Sequence, residues 1–344
     1  MQTGEQRGTV IVRPDVRSIV VSGLLVAWAW GGAAFATETY VTADALFLQR
    51  DNESNERPLA VDSNTGATAV GTSDLRFPVA GGVRLFVGRH TAGGCGWEVG
   101  YLGVYGMTAD ASAAGNGGLD IAPDLSDEVA SLRNASLADC SYTSAINGFE
   151  ANLTATSEHV HRPRETAYAA DGVPSVATID WLAGFRWAGL EEAATIGLTT
   201  PGLGTSQYGV RASSNLFGGQ LGVRGRIDWE RWSLEGQGKA ALAGVVLAQS
   251  QAPIVDAFNG FQERPAQGAE DGGVGGIFDW NVAVIRRVGE HWSIRAGYTM
   301  LWLTGVALAP DQFDFSIAPG AGTNLVGGNM IWLQGATLGL EGRW

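Results

Sequence analysis

The sequence predicts an all-β fold: a closed, antiparallel, up-and-down transmembrane β-barrel of ten to twelve strands, after a cleaved N-terminal signal peptide. Three observations predict it. First, the chain ends on Trp332-Leu-Gln-Gly-Ala-Thr-Leu-Gly-Leu-Glu-Gly-Arg-Trp344. Alternate positions Trp332, Ala336, Leu338, Leu340, Gly342 and Trp344 are apolar or small, with Gln334 the exception. The other face carries Thr337, Glu341 and Arg343. A period of two is a strand and not a helix. Second, Trp or Tyr recurs at the ends of the apolar faces. Third, the opposite faces carry charge deep within the strands. Lipid outside, a polar lumen inside and aromatics at both interfaces are what a membrane barrel requires. A soluble β-sandwich also alternates, but it supplies no reason for those aromatic ends and deep charges.

The elements follow in order. Arg7, Arg13 and Arg17 form a basic lead, and Ser18 to Ala36 is free of charge, with Ala34-Phe35-Ala36 at its end. That is a secretory signal removed after Ala36; a single membrane anchor is the rival reading. Residues 1–36 are therefore the signal and 37–344 one barrel domain. The first strand runs from Tyr40 to Arg50. The second, Gly82 to His90, sets Val83, Leu85 and Val87 against Arg84. The third, Gly96 to Gly106, sets Trp97, Val99, Tyr101 and Tyr105 against Glu98. The fourth, Tyr142 to Leu153, sets Phe149, Ala151 and Leu153 against Glu150. The fifth, Val176 to Trp187, sets Ile179, Trp181, Phe185 and Trp187 against Asp180 and Arg186.

The sixth, Asn215 to Ile227, sets Leu221 and Val223 against Gln220, Arg224 and Arg226. The seventh, Trp232 to about Leu247, sets Trp232 and Leu234 against Glu235 and Lys239. The eighth, Phe278 to Val288, carries Trp280, Val282 and Val284. The ninth begins at Trp292 and sets Trp292, Ile294, Tyr298 and Trp302 against Arg295. The C-terminal strand is the tenth. Segments near Ala194 to Leu198 and Tyr208 to Ala212 extend hairpins or add a pair.

Long connections follow strands one, three, seven and nine; short ones follow two, six and eight. Short periplasmic turns and long external loops are the outer-membrane habit. Both mature termini then lie in the periplasm. The segment His159 to Pro174 is too long for its place as a short turn. Ala240 to Val255 and Ala296 to Pro310 are too short and interrupted to cross a membrane as helices.

Gly is 50 of 344 residues and the net charge is −13. Such an acidic chain lacks the clustered Lys and Arg that phosphate contacts need, which argues against a nucleic-acid partner. Asp110, Asp120, Asp124, Asp127, Glu128 and Asp139 concentrate acid between apolar strands. Cys95 and Cys140 fall at opposite ends of the barrel, too far apart for a bridge.

Several segments resemble a known family. Ala43-Asp-Ala-Leu-Phe-Leu-Gln-Arg-Asp51, Leu182-Ala-Gly-Phe-Arg-Trp187, Asn215-Leu-Phe-Gly-Gly-Gln-Leu-Gly222, Gly238-Lys-Ala240, Arg295-Ala-Gly-Tyr298, Leu301-Trp302, Gly305-Val-Ala-Leu-Ala-Pro-Asp-Gln312 and Gly339-Leu-Glu-Gly-Arg-Trp344 are similar to the planctomycete-type outer-membrane β-barrel porin-like family (β-barrel porin 7 group). The resemblance implies an outer-membrane barrel and carries no catalytic residues. The final strand, ending on Trp344, also resembles the signal read by the barrel-assembly machinery, which is the expected partner besides outer-membrane lipid.

Alternation points Arg84, Glu98, Glu150, Asp180, Arg186, Arg224, Arg226, Glu235, Lys239, Arg295, Glu341 and Arg343 inward, with Asp44. Arg or Lys facing lipid near the midplane costs roughly 2–4 kcal/mol. These side chains either wall a narrow passage for ions or small solutes or pair into a network that fills the barrel; barrels near eight strands are filled. Trp97, Tyr105, Trp181, Trp187, Trp232, Trp292, Trp302, Trp332 and Trp344 form the aromatic belt.

His159-Val160-His161 has ligand spacing on one strand face but no evident third ligand. Asp311, Gln312 and Asp314 offer hard oxygens, although Pro310 and Asp311 also suit a loop turn. No metal or cofactor is expected. Gly218-Gly219 and the Gly272 to Gly276 run lack the strand–loop–helix context of a phosphate loop; they read as hairpin ends, close packing and loop flexibility. No His/Asp/Ser set converges, so the chain is not expected to be an enzyme. The expected function is solute passage, or else a non-conducting barrel that presents acidic external loops.

Overall fold

The computed structural model describes residues 38–51, 56–122, 125, 129–161 and 175–344. The expected signal (1–36) and the acidic Asp124, Asp127 and Glu128 lie outside the described residues, as do the side chains of His159 and His161.

The strands are β1 (Glu38–Asp51), β2 (Pro58–Asp62), β3 (Thr68–Gly71), β4 (Ala80–His90), β5 (Cys95–Ile121), β6 (Ala135–His161) and β7 (Ser175–Thr200). They continue as β8 (Gly204–Trp229), β9 (Trp232–Gln251), β10 (Ile254–Val255), β11 (Gln262–Arg264), β12 (Gln267–Arg287), β13 (Trp292–Val306) and β14 (Asn329–Arg343). Ten of them form the ring β5-β4-β1-β14-β13-β12-β9-β8-β7-β6, which the β5–β6 pairing closes. Every ring pairing is antiparallel. Over the span that all ten staves share, closure leaves no free sheet edge, which is the condition for a β-structure to sit in hydrocarbon. The β2–β3 hairpin extends one end of β5, and β10 and β11 pair separately.

The segments Ala194 to Leu198 and Tyr208 to Ala212 add no stave. They lengthen β7 and β8, which meet in a tight turn between Thr200 and Gly204. β6 likewise runs on to His161, which absorbs part of the segment that looked too long for a turn. The Gly272 to Gly276 run is no loop either; it lies inside β12, where a Cβ on Gly275 would collide with the Thr304 carbonyl. β1 and β14 make the seam, from Tyr40↔Arg343 to Asp51↔Trp332. Main-chain bonds from Thr39 N–H to Trp344 and back, 2.8 and 2.9 Å, lock its end. Gly335 is required in this seam, because a Cβ there would collide with the Phe47 carbonyl.

The strands invert their polarity part-way along. Near the short turns the outer face is apolar: Trp181 is 62% exposed, Leu221 71% and Leu242 74%. The inner face there carries Arg186, Gln220, Arg224 and Lys239. Beyond Trp187 and Phe217 the pattern reverses. Glu191 and Arg211 point outward with Ser213, while Leu190, Ile196, Leu198, Tyr208, Val210 and Leu216 are buried inside. The physical cause is the solvent outside. In the bilayer the wall must be greasy outward; beyond it, water allows an ordinary buried core. β5 to β8 are 26 or 27 residues long, against roughly 9–11 for a strand that only crosses the bilayer. The excess projects past the membrane on the side of the long connections.

Outward amides mark the change. Trp187 donates its indole N–H to Asn215 at 3.3 Å, Tyr101 its hydroxyl to Asn147 at 3.1 Å, and Tyr298 to Gln334 at 2.9 Å. Amphipathic rings with a wet polar tip belong at an interface.

Candidate functional site: the barrel interior

The interior of the membrane-embedded half is built from alternate residues of all ten staves. Because side chains from non-adjacent strands meet, the bonds cross the lumen. Arg84 on β4 reaches Asp279 on β12 at 3.3 Å, and Arg186 on β7 reaches the same carboxylate at 2.9 Å. Lys239 on β9 pairs with Glu150 on β6 at 2.8 Å and lies 3.7 Å from Glu98 on β5. Gln220 joins this group, donating to Glu150 at 2.6 Å and to Asn152 at 2.8 Å.

A second layer lies nearer the short turns. Arg295 on β13 holds Glu235 on β9 at 2.8 Å and Glu341 on β14 at 2.6 Å, with Asp44 on β1 at 3.6 Å. Arg226 on β8 meets Glu341 at 2.8 Å and Glu235 at 3.5 Å. Arg224 pairs with Glu98 and accompanies Asp180 at 3.7 Å. Tyr40 donates to Glu98 at 2.6 Å and stacks on His90. Arg343 sits at the mouth, half-exposed, on Glu341 and Glu38. Buried charges are tolerable only when paired, and each of these has an opposite charge within 4 Å.

Little space remains. The gap lined by Tyr40, Asp44, Glu98, Glu235, Arg295 and Glu341 is about 30 Å³, and the one beside Arg84, Glu150 and Arg186 about 10 Å³. A water needs roughly 10–15 Å³ by this measure, so these gaps have room for isolated waters and not for a file of them.

The projecting half is closed by other means. The segment between β13 and β14 folds inward: Ala307, Leu308, Ala309 and Phe313 are buried with Asp311 and Gln312. Pro310 opens a short 3₁₀ turn, Ala309–Gln312. Side chains of the wall and of β11 bind the segment's backbone. Ser214 accepts the Ala307 N–H at 3.0 Å and Glu192 the Ala309 N–H at 2.9 Å. Gln251 donates to the Gln312 carbonyl at 2.8 Å, and Arg264 to that of Asp314 at 2.7 Å. Burial pushes the Asp314 carboxyl up, but the Ser316 hydroxyl, the Gly322 and Ser316 N–H groups and Arg264 outweigh it and hold it below the usual range.

Glu192 belongs to a fully buried clamp. Arg50 pairs with it at 2.5 Å and donates to the Tyr142 hydroxyl at 2.7 Å, which in turn donates to Glu192 at 2.7 Å. The Arg50 guanidinium lies against the Phe77 and Tyr142 rings.

All twelve charged residues singled out from the sequence lie on these inner positions, Arg343 only at the rim. Sequence reasoning missed Asp279, although it is in phase with Asn281, and the Arg50–Tyr142–Glu192 clamp, whose members share no spacing. It expected a polar lumen and did not foresee that the projecting half holds an apolar core. The nine belt aromatics are exposed or half-exposed on the outer face, and Trp229 and Trp280 join them. Trp302 packs on Trp332, and Trp292 on Trp344. His90 and His291 lie at the short-turn rim. Cys95 is exposed at that rim, and Cys140 is buried in the projecting half; both thiols are free. Among the described residues no cluster of His, Cys, Asp or Glu could hold a metal ion.

An apolar wall, aromatic interfaces and a charged interior define an integral membrane β-barrel of the bacterial outer-membrane type. The chain belongs to the family described as "Putative beta barrel porin-7", which it matches over residues 41–344. No curated protein matches the sequence. Among solved structures, the outer membrane protease OmpT from Escherichia coli is similar at 10% identity and a TM-score of 0.47, over 91% of this chain and 99% of that one. A major outer membrane protein from Thermus thermophilus is similar at 12% identity and a TM-score of 0.33, over 90% and 100%. A Pseudomonas aeruginosa FadL homologue gives 9% identity and a TM-score of 0.24, over 90% of each chain.

Proposed function

We propose that this outer-membrane barrel is a porin-type protein closed at rest, in which passage of ions or small solutes requires the lumen network to part. The observation that carries this reading is the set of ion pairs spanning the lumen, with gaps of about 30 and 10 Å³ between them. Family membership supports a channel, and the filled interior supports a closed resting state. Proteoliposomes loaded with an impermeant dextran and diluted into an isotonic small sugar test this in a swelling assay. The reading expects swelling no faster than in empty vesicles. Swelling at the rate of an open porin would overturn it.

The inward-folded segment favours a second reading. An apolar core and a backbone bound by wall side chains suit a permanently sealed barrel that presents its acidic connections outside. The two part under applied voltage: rare ion-sized openings support the first, and permanent silence the second.

Orientation follows from the connections. The short-turn end, with both termini, is periplasmic in this proposal, and the terminal strand ending on Trp344 is offered to the barrel-assembly machinery. The native thiols test the orientation. A membrane-impermeant maleimide should leave Cys95 unlabelled on intact cells and label it once the outer membrane is permeabilised. Labelling on intact cells would reverse the assignment.

A further inference from the structure

We propose that the outer wall carries a seat for the uncharged saccharide head group of an outer-leaflet glycolipid. This rests on the orientation proposed above. The seat is a trough of about 1090 Å³ that crosses β5 to β9 and β12. Its height is set by the interface amides. Ser213 is one outward position beyond Asn215, Ala145 one beyond Asn147, and Glu191 two beyond Trp187. The trough therefore begins where the greasy wall ends, at the depth of lipid head groups.

Its chemistry suits sugar. The hydroxyls of Thr108, Ser213 and Ser250 make no hydrogen bond within the chain among the described residues, so both their donor and acceptor sites are open. Glu191 and Glu270 add acceptors, and Arg211 adds donors. Ala145, Ala193 and Ala248 form a low floor on which a pyranose face can lie. The charge balance argues against an anionic head group. Two carboxylates face one guanidinium here, and phosphate recognition relies on paired or clustered cations. A sugar that needs several weak, geometrically flexible hydrogen bonds is the better match.

The full mature chain would be refolded into phosphatidylcholine vesicles doped with digalactosyldiacylglycerol or with phosphatidylglycerol, extracted, and its retained lipid identified by native mass spectrometry. The expected result is roughly tenfold enrichment of the galactolipid over phosphatidylglycerol, a preference equivalent to about 1.4 kcal/mol. Ala193→Trp and Ala248→Trp fill the floor and should return the ratio to parity. Gln49→Trp, on the opposite wall, should leave it unchanged. If the Trp variants fail to refold, Ser213→Ala with Ser250→Ala removes the hydroxyls without adding bulk and should lower the enrichment by more than half. Parity in the wild-type protein, enrichment that these variants do not move, or preference for phosphatidylglycerol would each overturn the proposal. Maleimide labelling of Cys95 reports orientation separately, so a wrong orientation and a missing seat give different results.

Discussion

Replacing Arg50 by Ala is expected to destabilise the barrel by about 3–5 kcal/mol, because it strips the partner from a carboxylate buried in an apolar core. Both side chains of the pair are fully buried, and Glu192 would be left with only the Tyr142 and Ser144 hydroxyls and the Ala309 N–H. Urea titration of folding into vesicles measures the loss. The double variant Arg50→Met with Glu192→Gln removes both charges and keeps acceptors for Tyr142 and Ala309. It should recover most of the stability, since an uncharged replacement avoids the desolvation cost. A single variant as stable as wild type would show that the clamp contributes nothing. The effect should also reach the inward-folded segment: with Glu192 unsatisfied, protease should cut between Leu308 and Asn329 sooner than in wild type.

Arg295→Ala is the second large effect, and it bears on passage as well as stability. Arg295 is shared by Glu235, Glu341 and Asp44. Its loss leaves three buried carboxylates with Arg226, on Glu235 and Glu341, and Arg343, on Glu341, as their remaining ion-pair partners. The expected destabilisation is again about 3–5 kcal/mol. The carboxylates will draw in water and counter-ions to replace the guanidinium, so the variant should leak, and leak cations in preference to anions. Bilayer recordings under a salt gradient read that preference from the reversal potential. An anion-preferring leak would contradict the assigned lumen charge. Arg295→Lys should leak less, since one cation stays in place, but it loses the fork that holds Glu235 and Glu341 at once.

The membrane-embedded half was legible in the sequence because two constraints coincide there. The period of two assigns faces, and charge cannot face lipid, so Arg186, Lys239 and Arg295 had only one direction available. The projecting half was not legible in the same way. Leu190, Ile196 and Leu198 carry the same alternation, but the rule that places the apolar face outside fails once water replaces lipid. The clue was present as a change of phase: apolar outward positions at Phe185 and Trp187 give way to Glu191 and Thr195. Long-range partners leave no local trace at all. Arg50, Tyr142 and Glu192 come from three strands, and only closure of the ring brings them together. The inward fold of the segment after β13 was hinted at by Val306-Ala-Leu-Ala309, too apolar for an external loop, yet nothing local says that Ser214 and Glu192 await its N–H groups.

The most direct test of a lumen sealed by its own ion pairs is single-channel recording of the refolded wild-type protein beside Arg295→Ala in planar bilayers. The account predicts a flat baseline for wild type at low voltage, broken at most by rare ion-sized steps, and sustained cation-preferring conductance for the variant. A wild-type barrel that conducts steadily on insertion, with the variant no different, would contradict it.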